Sequence, residues 1–309
     1  MEAIHGCAVV VSTDGGLGPR AAPEGQSVRV WVSGASGFTG LALIKALNER
    51  GDQVFASNTN LLDGDAIDRE MHEFVPEAIV HLAGISQPTH QPASDFYAVH
   101  VIGTQHVLSA AEHLSSKPKV VIASSAHVYG RCAERHPVLS EDLLPEPTSH
   151  YALSKRAMEQ LCDWFPNLDI TLFRPFNYTG PGQRTDFLFP KIADHLRMKK
   201  PRIELGSLRA ARDLCWIDDV VTLYLSALDH PGNCAGIFNI CSGVTQSIEE
   251  LVKAWLQVVD FQIEVVFSEH FVRNHEISSL CGATARIEAT FGFVPRPLSI
   301  DLLNGLLSD

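Results

Sequence analysis

Four residues apart, Tyr151 and Lys155 form a Tyr-x-x-x-Lys pair in a segment of helical character. On a helix both side chains share one face, with Cβ atoms about 5–6 Å apart. A phenol with an ordinary pKa of about 10 is a poor base at neutral pH. A fixed ammonium beside it favours phenolate and lowers that value, so the pair can exchange a proton with a carbonyl or carbinol oxygen. Upstream, Val121-Ile122-Ala123-Ser124-Ser125 ends a predicted strand in hydroxyls, and Ser125 is the expected second donor to the same oxygen. Taken singly, the pair is also what an exposed helix shows, and the serines are also an ordinary turn. Their chemistry becomes specific only if a redox partner sits at the carbon.

Gly34-Ala35-Ser36-Gly37-Phe38-Thr39-Gly40 supplies the place for such a partner. Its spacing is GxxGxxG, one residue longer in the first gap than GxGxxG, and it lies between a predicted strand and a predicted helix. Glycines here permit positive φ, close approach of backbone amides to a pyrophosphate, and tight helix–strand packing. Gly34, Ser36, Gly37, Phe38, Thr39 and Gly40 are therefore expected to hold a nicotinamide dinucleotide, which exchanges hydride. At the end of the second strand an acid usually holds the ribose hydroxyls of NAD, and a base the extra phosphate of NADP. Ala56-Ser57-Asn58-Thr59-Asn60 offers neither. The missing acid leans the choice between NADH and NADPH towards NADPH, with Asn58, Asn60 and Leu61 as expected lining and Asp63 near the adenine.

These groups need a scaffold of parallel strands. Apolar runs at 28–32, 54–56, 78–82 and 120–123 are separated by helical periodicity at 38–48, 66–74 and 96–114. That alternation predicts βαβ units and an α/β fold with a doubly wound parallel sheet of the Rossmann type, which binds ligands at the carboxyl ends of its strands. After Arg174-Pro175-Phe176 the pattern loosens through Pro181, Pro190 and Pro201. A helix at 217–228, a strand at 236–241 and a helix at 248–258 follow. The expected organisation is a tail over 1–27, a dinucleotide-binding domain over 28–175, and a smaller C-terminal α/β substrate-binding lobe over 176–309. Around 213–241 the chain is expected to pass back to the first domain.

Composition sets the bounds. With 309 residues, 45% of them hydrophobic, the chain can bury a large core, and no apolar run approaches a membrane span. A net charge of -12 disfavours non-specific nucleic-acid binding, so an anionic ligand must meet locally placed cations. Cys7, Cys132, Cys162, Cys215, Cys234, Cys241 and Cys281 are scattered without a CxxC pair. That pattern predicts buried thiols in a reducing cytoplasm rather than disulfides or a metal site. The short apolar stretch at 8–11 is too brief for a signal peptide.

Together the glycine turn, His81-Leu82-Ala83-Gly84, Ser124-Ser125-Ala126-His127-Val128-Tyr129-Gly130, the Tyr151/Lys155 pair and Arg174-Pro175-Phe176-Asn177 resemble the extended short-chain dehydrogenase/reductase family, over about residues 28–300. The resemblance implies catalysis by Ser125, Tyr151 and Lys155. It places Leu82, Ala83, Gly84, Tyr151 and Lys155 with the glycine turn around the coenzyme. Dehydratases of the family carry acids just after the catalytic hydroxyl, whereas Ala126 and His127 stand here. A reductase or an epimerase remains, with His127 either a donor to substrate or a packed histidine.

Phe187-Leu188-Phe189-Pro190-Lys191-Ile192 and Leu205-Gly206-Ser207-Leu208-Arg209-Ala210-Ala211-Arg212-Asp213 are similar to the nucleotide-binding region of the family's GDP-sugar dehydratases and 4-ketoreductases. Arg273-Asn274-His275-Glu276 resembles their R-x-x-E segment. By that likeness Lys191, Arg212 and Arg273 face a diphosphate, Glu276 faces a ribose hydroxyl, and Asn177 contacts the sugar diphosphate; guanidinium forks suit such oxygens. The implied reaction is NAD(P)H-dependent reduction of the C4 ketone of a GDP-4-keto-6-deoxy-sugar. A 4-epimerase with tightly bound NAD and a non-catalytic dinucleotide sensor are the alternatives. His100 stands where relatives usually have asparagine. A homodimer through the helices around 96–114 and 151–164 is also implied.

Overall fold

The computed structural model describes residues 27–87, 89–268 and 278–307. Strands β1 (Arg29–Ser33), β2 (Gln53–Ser57), β3 (Ala78–His81), β4 (Lys119–Ala123) and β5 (Asp169–Pro175) are interleaved with α1 (Phe38–Arg50), α2 (Gly64–Phe74), α3 (Ser94–Tyr97), α4 (Gly103–His113), α5 (Cys132–Arg135) and α6 (His150–Cys162). The chain continues through β6 (Asn177–Thr179), α7 (Leu188–Arg197), β7 (Arg202–Leu205), β8 (Ala211–Trp216), α8 (Ile217–Asp229), β9 (Gly236–Ile240), β10 (Thr245–Ser247), α9 (Ile248–Leu256), β11 (Glu264–Phe267), β12 (Ser279–Leu280), α10 (Ala285–Phe291) and α11 (Ile300–Gly305).

Alternation along each strand explains why two helical layers form. Val30 and Val32 of β1 face one core with Val80 and Val121, where Leu43 and Leu47 of α1 meet Val220, Leu223 and Tyr224 of α8. Trp31, Ile79, Val120 and Ile122 face the other, packed by Ile67 and Met71 of α2, Val107 and Leu108 of α4, and Met158 and Leu161 of α6. Each such side chain, fully buried, contributes about 1.5–3 kcal/mol. The large sheet is parallel throughout, in the order β2-β1-β3-β4-β5-β9. Its order reverses between β1 and β3, where such sheets open a ligand crevice. A smaller sheet runs β10-β8-β12 with β6 also on β8, and β7 pairs β11 apart from it. The α/β class and doubly wound sheet expected from sequence are therefore present.

The helix expected over 96–114 is not uniform. Residues 98–102 form a π turn between α3 and α4. A wider turn admits one extra residue and re-aims side chains, and it turns His100 into the interior at 1% exposure.

Charge is also buried beside the site. Arg174 Nε and Nη2 each donate at 2.8 Å to the two oxygens of Glu159, and Ser124 Oγ donates to Glu159 Oε1 at 2.6 Å. The guanidinium lies 4.8 Å above the Tyr129 ring, whose hydroxyl donates to Asn239 Oδ1 at 2.7 Å. This network ties β4, β5, β9 and α6 together. Arg156 reaches Glu159 only from the partly exposed side, at 3.1 Å.

Removing one partner strands the other charge in the core. Arg174→Met should lower the unfolding free energy by about 3–5 kcal/mol, and Arg156→Ala by under about 1 kcal/mol. Chemical denaturation reads both, and equal losses would show that Arg174 is not the clamp. A second prediction concerns His81, whose Nδ1 lies 2.6 Å from Ser33 Oγ and Nε2 2.9 Å from Thr104 Oγ1. Burial, aided by the Lys155 charge, pushes it from 6.5 down to about 3. The unfolded chain then takes the proton first, so stability is lost as pH falls from about 6.5 towards 3. His81→Gln should flatten that dependence in pH-resolved denaturation; identical slopes would assign it to other groups.

Candidate active site

Helix α6 starts at an N-cap, where the Ser149 side chain accepts from the Ala152 amide. From there Tyr151, Lys155 and Glu159 recur every four residues, so all three share one face and all are buried. Glu159 is held by Arg174, which fixes the rotation of that face. Lys155 Nζ donates to the carbonyl of Ala123, the last residue of β4, at 2.7 Å. Ser125 stands two residues beyond β4, and its hydroxyl acts on the Tyr151 phenol, opposing the upward shift that burial causes. A 3-10 turn over Ala126–Tyr129 begins there, with the His127 amide donating to Ser125 Oγ at 3.2 Å. The turn sets the His127 ring edge-on to Tyr151, centroids 5.7 Å apart. Ser125, His127, Tyr151 and Lys155 thus converge at the carboxyl end of β4.

The electrostatics differ from the expectation of a lowered tyrosine. Burial pushes Tyr151 up to about 12, against the opposing pull of the Ser125 hydrogen bond. Lys155 does not lower it as expected, because Lys155 loses its own charge well before the phenol ionises. Burial pushes Lys155 itself down to about 8, opposed by the Glu159 charge. At neutral pH the site holds a neutral phenol that can donate and an ammonium close to its own titration.

His100 braces this arrangement. Its Nε2 accepts the Ile85 amide at 3.0 Å, so the ring proton resides on Nδ1, 2.8 Å from Ser154 Oγ. The Ser154 hydroxyl in turn donates to the Tyr151 carbonyl at 2.8 Å. Burial and the Lys155 charge push His100 down to about 2, so the imidazole stays neutral. The loop after β3 is therefore tied to the catalytic helix through a single tautomer. A Cβ on Gly84 would lie 3.1 Å from His100 Nε2 and 3.4 Å from Lys155 Nζ, which is why the loop passes so near.

On the other side of the crevice, Gly34 has φ +68°, and a Cβ there would come within 2.6 Å of the Ala83 amide nitrogen. A Cβ on Gly40 would strike the Gly34 carbonyl oxygen at 2.2 Å. Gly37 caps α1 with no side-chain hydrogen bond, leaving first-turn amides to face an anion. These features fit a dinucleotide pyrophosphate. Around them Ser36 is exposed, Phe38 stacks on Tyr178 at 5.8 Å, and Thr39 Oγ1 lies 2.8 Å from the Tyr178 hydroxyl. The Ala83 amide donates to Ser33 Oγ at 3.2 Å, which fixes Leu82, Ala83 and Gly84 at the crevice. Beyond β2, Asn58 and Asn60 are exposed. Leu61 is buried in the core, its carbonyl 2.8 Å from His106 Nδ1, and Asp63 caps α2 by accepting from the Ala66 amide.

The residues expected around the substrate nucleotide are more dispersed. Asn177 opens β6, half-buried. Lys191 on α7 donates to the Glu204 carbonyl at 2.6 Å, and Arg212 on β8 donates to the Ala211 carbonyl at 2.8 Å. Arg273 and Glu276 lie outside the described residues. Asp213, next to Arg212, is structural: its carboxylate accepts from the Ser242 amide and hydroxyl, each at 2.7 Å, and from Gly243 and Gly282. Glu159, Ser154 and Tyr178 were not singled out from sequence. Only the spacing of Glu159 from Tyr151 and Lys155 could have pointed to one of them.

The six cysteines among the described residues are free and buried. Among those residues no group of His, Cys, Asp or Glu could hold a metal, and none of the helices they form is long and apolar enough to cross a membrane. Comparison with known proteins matches residues 30–241 to the NAD dependent epimerase/dehydratase family. The chain is 31% identical over 297 residues to GDP-6-deoxy-D-mannose reductase of Pseudomonas aeruginosa, spanning 91% of this chain and 96% of that protein. It is 31% identical over 273 residues to GDP-6-deoxy-D-talose 4-dehydrogenase of Aggregatibacter actinomycetemcomitans, spanning 86% and 92%. Among solved structures, RMD from Pseudomonas aeruginosa complexed with NADPH superposes with a TM-score of 0.81 at 29% identity, covering 91% of this chain and 98% of that one. The crevice between β1 and β3, the Tyr151–Lys155 face of α6 and these matches agree: the chain belongs to the NAD dependent epimerase/dehydratase family, within the extended short-chain dehydrogenases/reductases.

Proposed function

We propose that the protein reduces the C4 ketone of a GDP-4-keto-6-deoxy-sugar with NAD(P)H, giving a GDP-6-deoxy-hexose. The observation that carries this reading is the neutral Tyr151 phenol, converging with Ser125 and the Lys155 ammonium, at the mouth of a dinucleotide cradle. Reduced nicotinamide, when bound, supplies hydride to the carbonyl carbon. Tyr151 gives its proton to the ketone oxygen, and Ser125 polarises that oxygen by hydrogen bonding. Lys155 stabilises the charge left on the phenol and holds the nicotinamide ribose. The turn after Ser125 carries Ala126 and His127 in place of an acid, so water elimination lacks its acid group, and the His127 ring beside Tyr151 is available to the sugar.

The guanosine diphosphate is assigned from two relatives whose names carry GDP-6-deoxy-sugars and from Lys191, Arg212 and Arg273, with Asn177 and Glu276 completing the contacts. Exposed Ile102, Leu153 and Trp164, on or beside the helices around the site, support a homodimer. A 4-epimerase would use the same face of α6 but retain NAD. UDP-glucuronate 4-epimerase 6 of Arabidopsis thaliana, 31% identical over 244 residues, keeps that alternative in view. Consumption of external coenzyme separates the two.

Tyr151→Phe should lower kcat on a 4-keto-GDP-sugar by about 10²–10⁴ while coenzyme binding is kept. Turnover near that of the wild type would refute the assignment. The profile of kcat/KM for coenzyme, which reports the free enzyme, should fall as pH rises through about 8, where Lys155 loses its proton. Tyr151 stays protonated until about 12 and adds no limb below that. A profile flat to pH 10 would show that the Lys155 charge is not used.

A further inference from the structure

No acid stands at the end of β2 in the sequence, yet the fold delivers one from the next helix. Glu70 lies on α2 between Ile67 and Met71, the two residues that bury this helix against the sheet. Its Oε2 accepts the Trp31 indole N–H at 3.1 Å and the hydroxyl of Ser57, the last residue of β2, at 2.7 Å. Its Oε1 accepts the Thr59 hydroxyl. The carboxylate is thereby pinned at the carboxyl end of β2, where an acid from the strand itself ordinarily binds the ribose hydroxyls of NAD.

All three of these donors are neutral. Glu70 has no Lys or Arg ion-pair partner among the described residues, and neither the glycine turn nor residues 51–68 contain a Lys or Arg. Arg69 beside it is exposed. A carboxylate has about four acceptor positions, so one remains on Oε1 for a ribose hydroxyl, and Glu70 is only half-buried. The added phosphate of NADPH would bring negative charge to a carboxylate without a cation, and Asp63 and Asp65 in the same loop and first turn add to the repulsion.

We infer that Glu70 selects the coenzyme and that this protein takes NADH in preference to NADPH. The inference rests on the reading of the crevice as an NAD(P) site, and it replaces the lean drawn from the missing β2 acid. The similar structure from Pseudomonas aeruginosa holds NADPH.

Calorimetric titration of NADH and of NADPH, without substrate, tests it. Wild-type protein should bind NADH about tenfold or more tightly over NADPH, and Glu70→Gln should narrow that ratio about fivefold, chiefly by improving NADPH. Asn58→Arg keeps Glu70 and adds a cation at an exposed position beside it. It should also improve NADPH, and together with the wild-type ratio it decides the matter if Glu70→Gln does not fold. Tighter NADPH binding by the wild type would overturn the inference. So would an unchanged ratio in a Glu70→Gln protein that melts like the wild type. A protein that prefers NADH but reduces no 4-keto sugar would retain this inference and lose the proposed reaction.

Discussion

The buried pair of Arg174 and Glu159 is the constraint on which the rest of the site depends. A carboxylate fully out of water is tolerable only when its lone pairs are met, and here the guanidinium fork and Ser124 meet them. Because Glu159 shares a helix face with Lys155 and Tyr151, anchoring it sets the rotation of α6 against β4 and β5. Ser124 contributes to the anchor while Ser125, its neighbour, acts on the phenol.

Burial then decides the protonation states. The same desolvation that raises Tyr151 lowers Lys155, His81 and His100. The outcome is a donor-ready phenol, a lysine whose charge is marginal, and two histidines that serve only as neutral hydrogen-bonding struts. The His100 strut matters most for assembly of the site. It joins the loop after β3, at the crevice, to the helix that carries the tyrosine, so the two are held in register by one imidazole.

The parallel sheet was legible because β1, β3 and β4 are apolar runs and the helices between them carry clear faces. Gly34, Gly37 and Gly40 were legible because their spacing answers a steric need visible in the folded contacts. The π turn around His100 was not, since one extra residue in a turn hardly alters the apolar pattern of a long helix. The strands β5 and β8 escaped too, and so did β6, β7, β10, β11 and β12, which are brief and set among prolines and turns. Glu70 was invisible for a different reason: its role comes from tertiary packing of α2 beneath β2, and nothing local marks it. The lowered tyrosine failed as an expectation because spacing puts Lys155 near Tyr151 but does not say how deeply both are buried, and burial raises the phenol while it lowers the ammonium.

The central claim is hydride delivery to a C4 ketone at the face formed by Ser125, Tyr151 and Lys155. Incubating the protein with GDP-4-keto-6-deoxymannose and coenzyme deuterated at the nicotinamide C4, each hydride face labelled in turn, tests it most directly by NMR of the product. One label should appear at the sugar C4, with one coenzyme oxidised per GDP-6-deoxy-hexose formed. Sugar turnover with no coenzyme oxidised and no deuterium at C4 would contradict it.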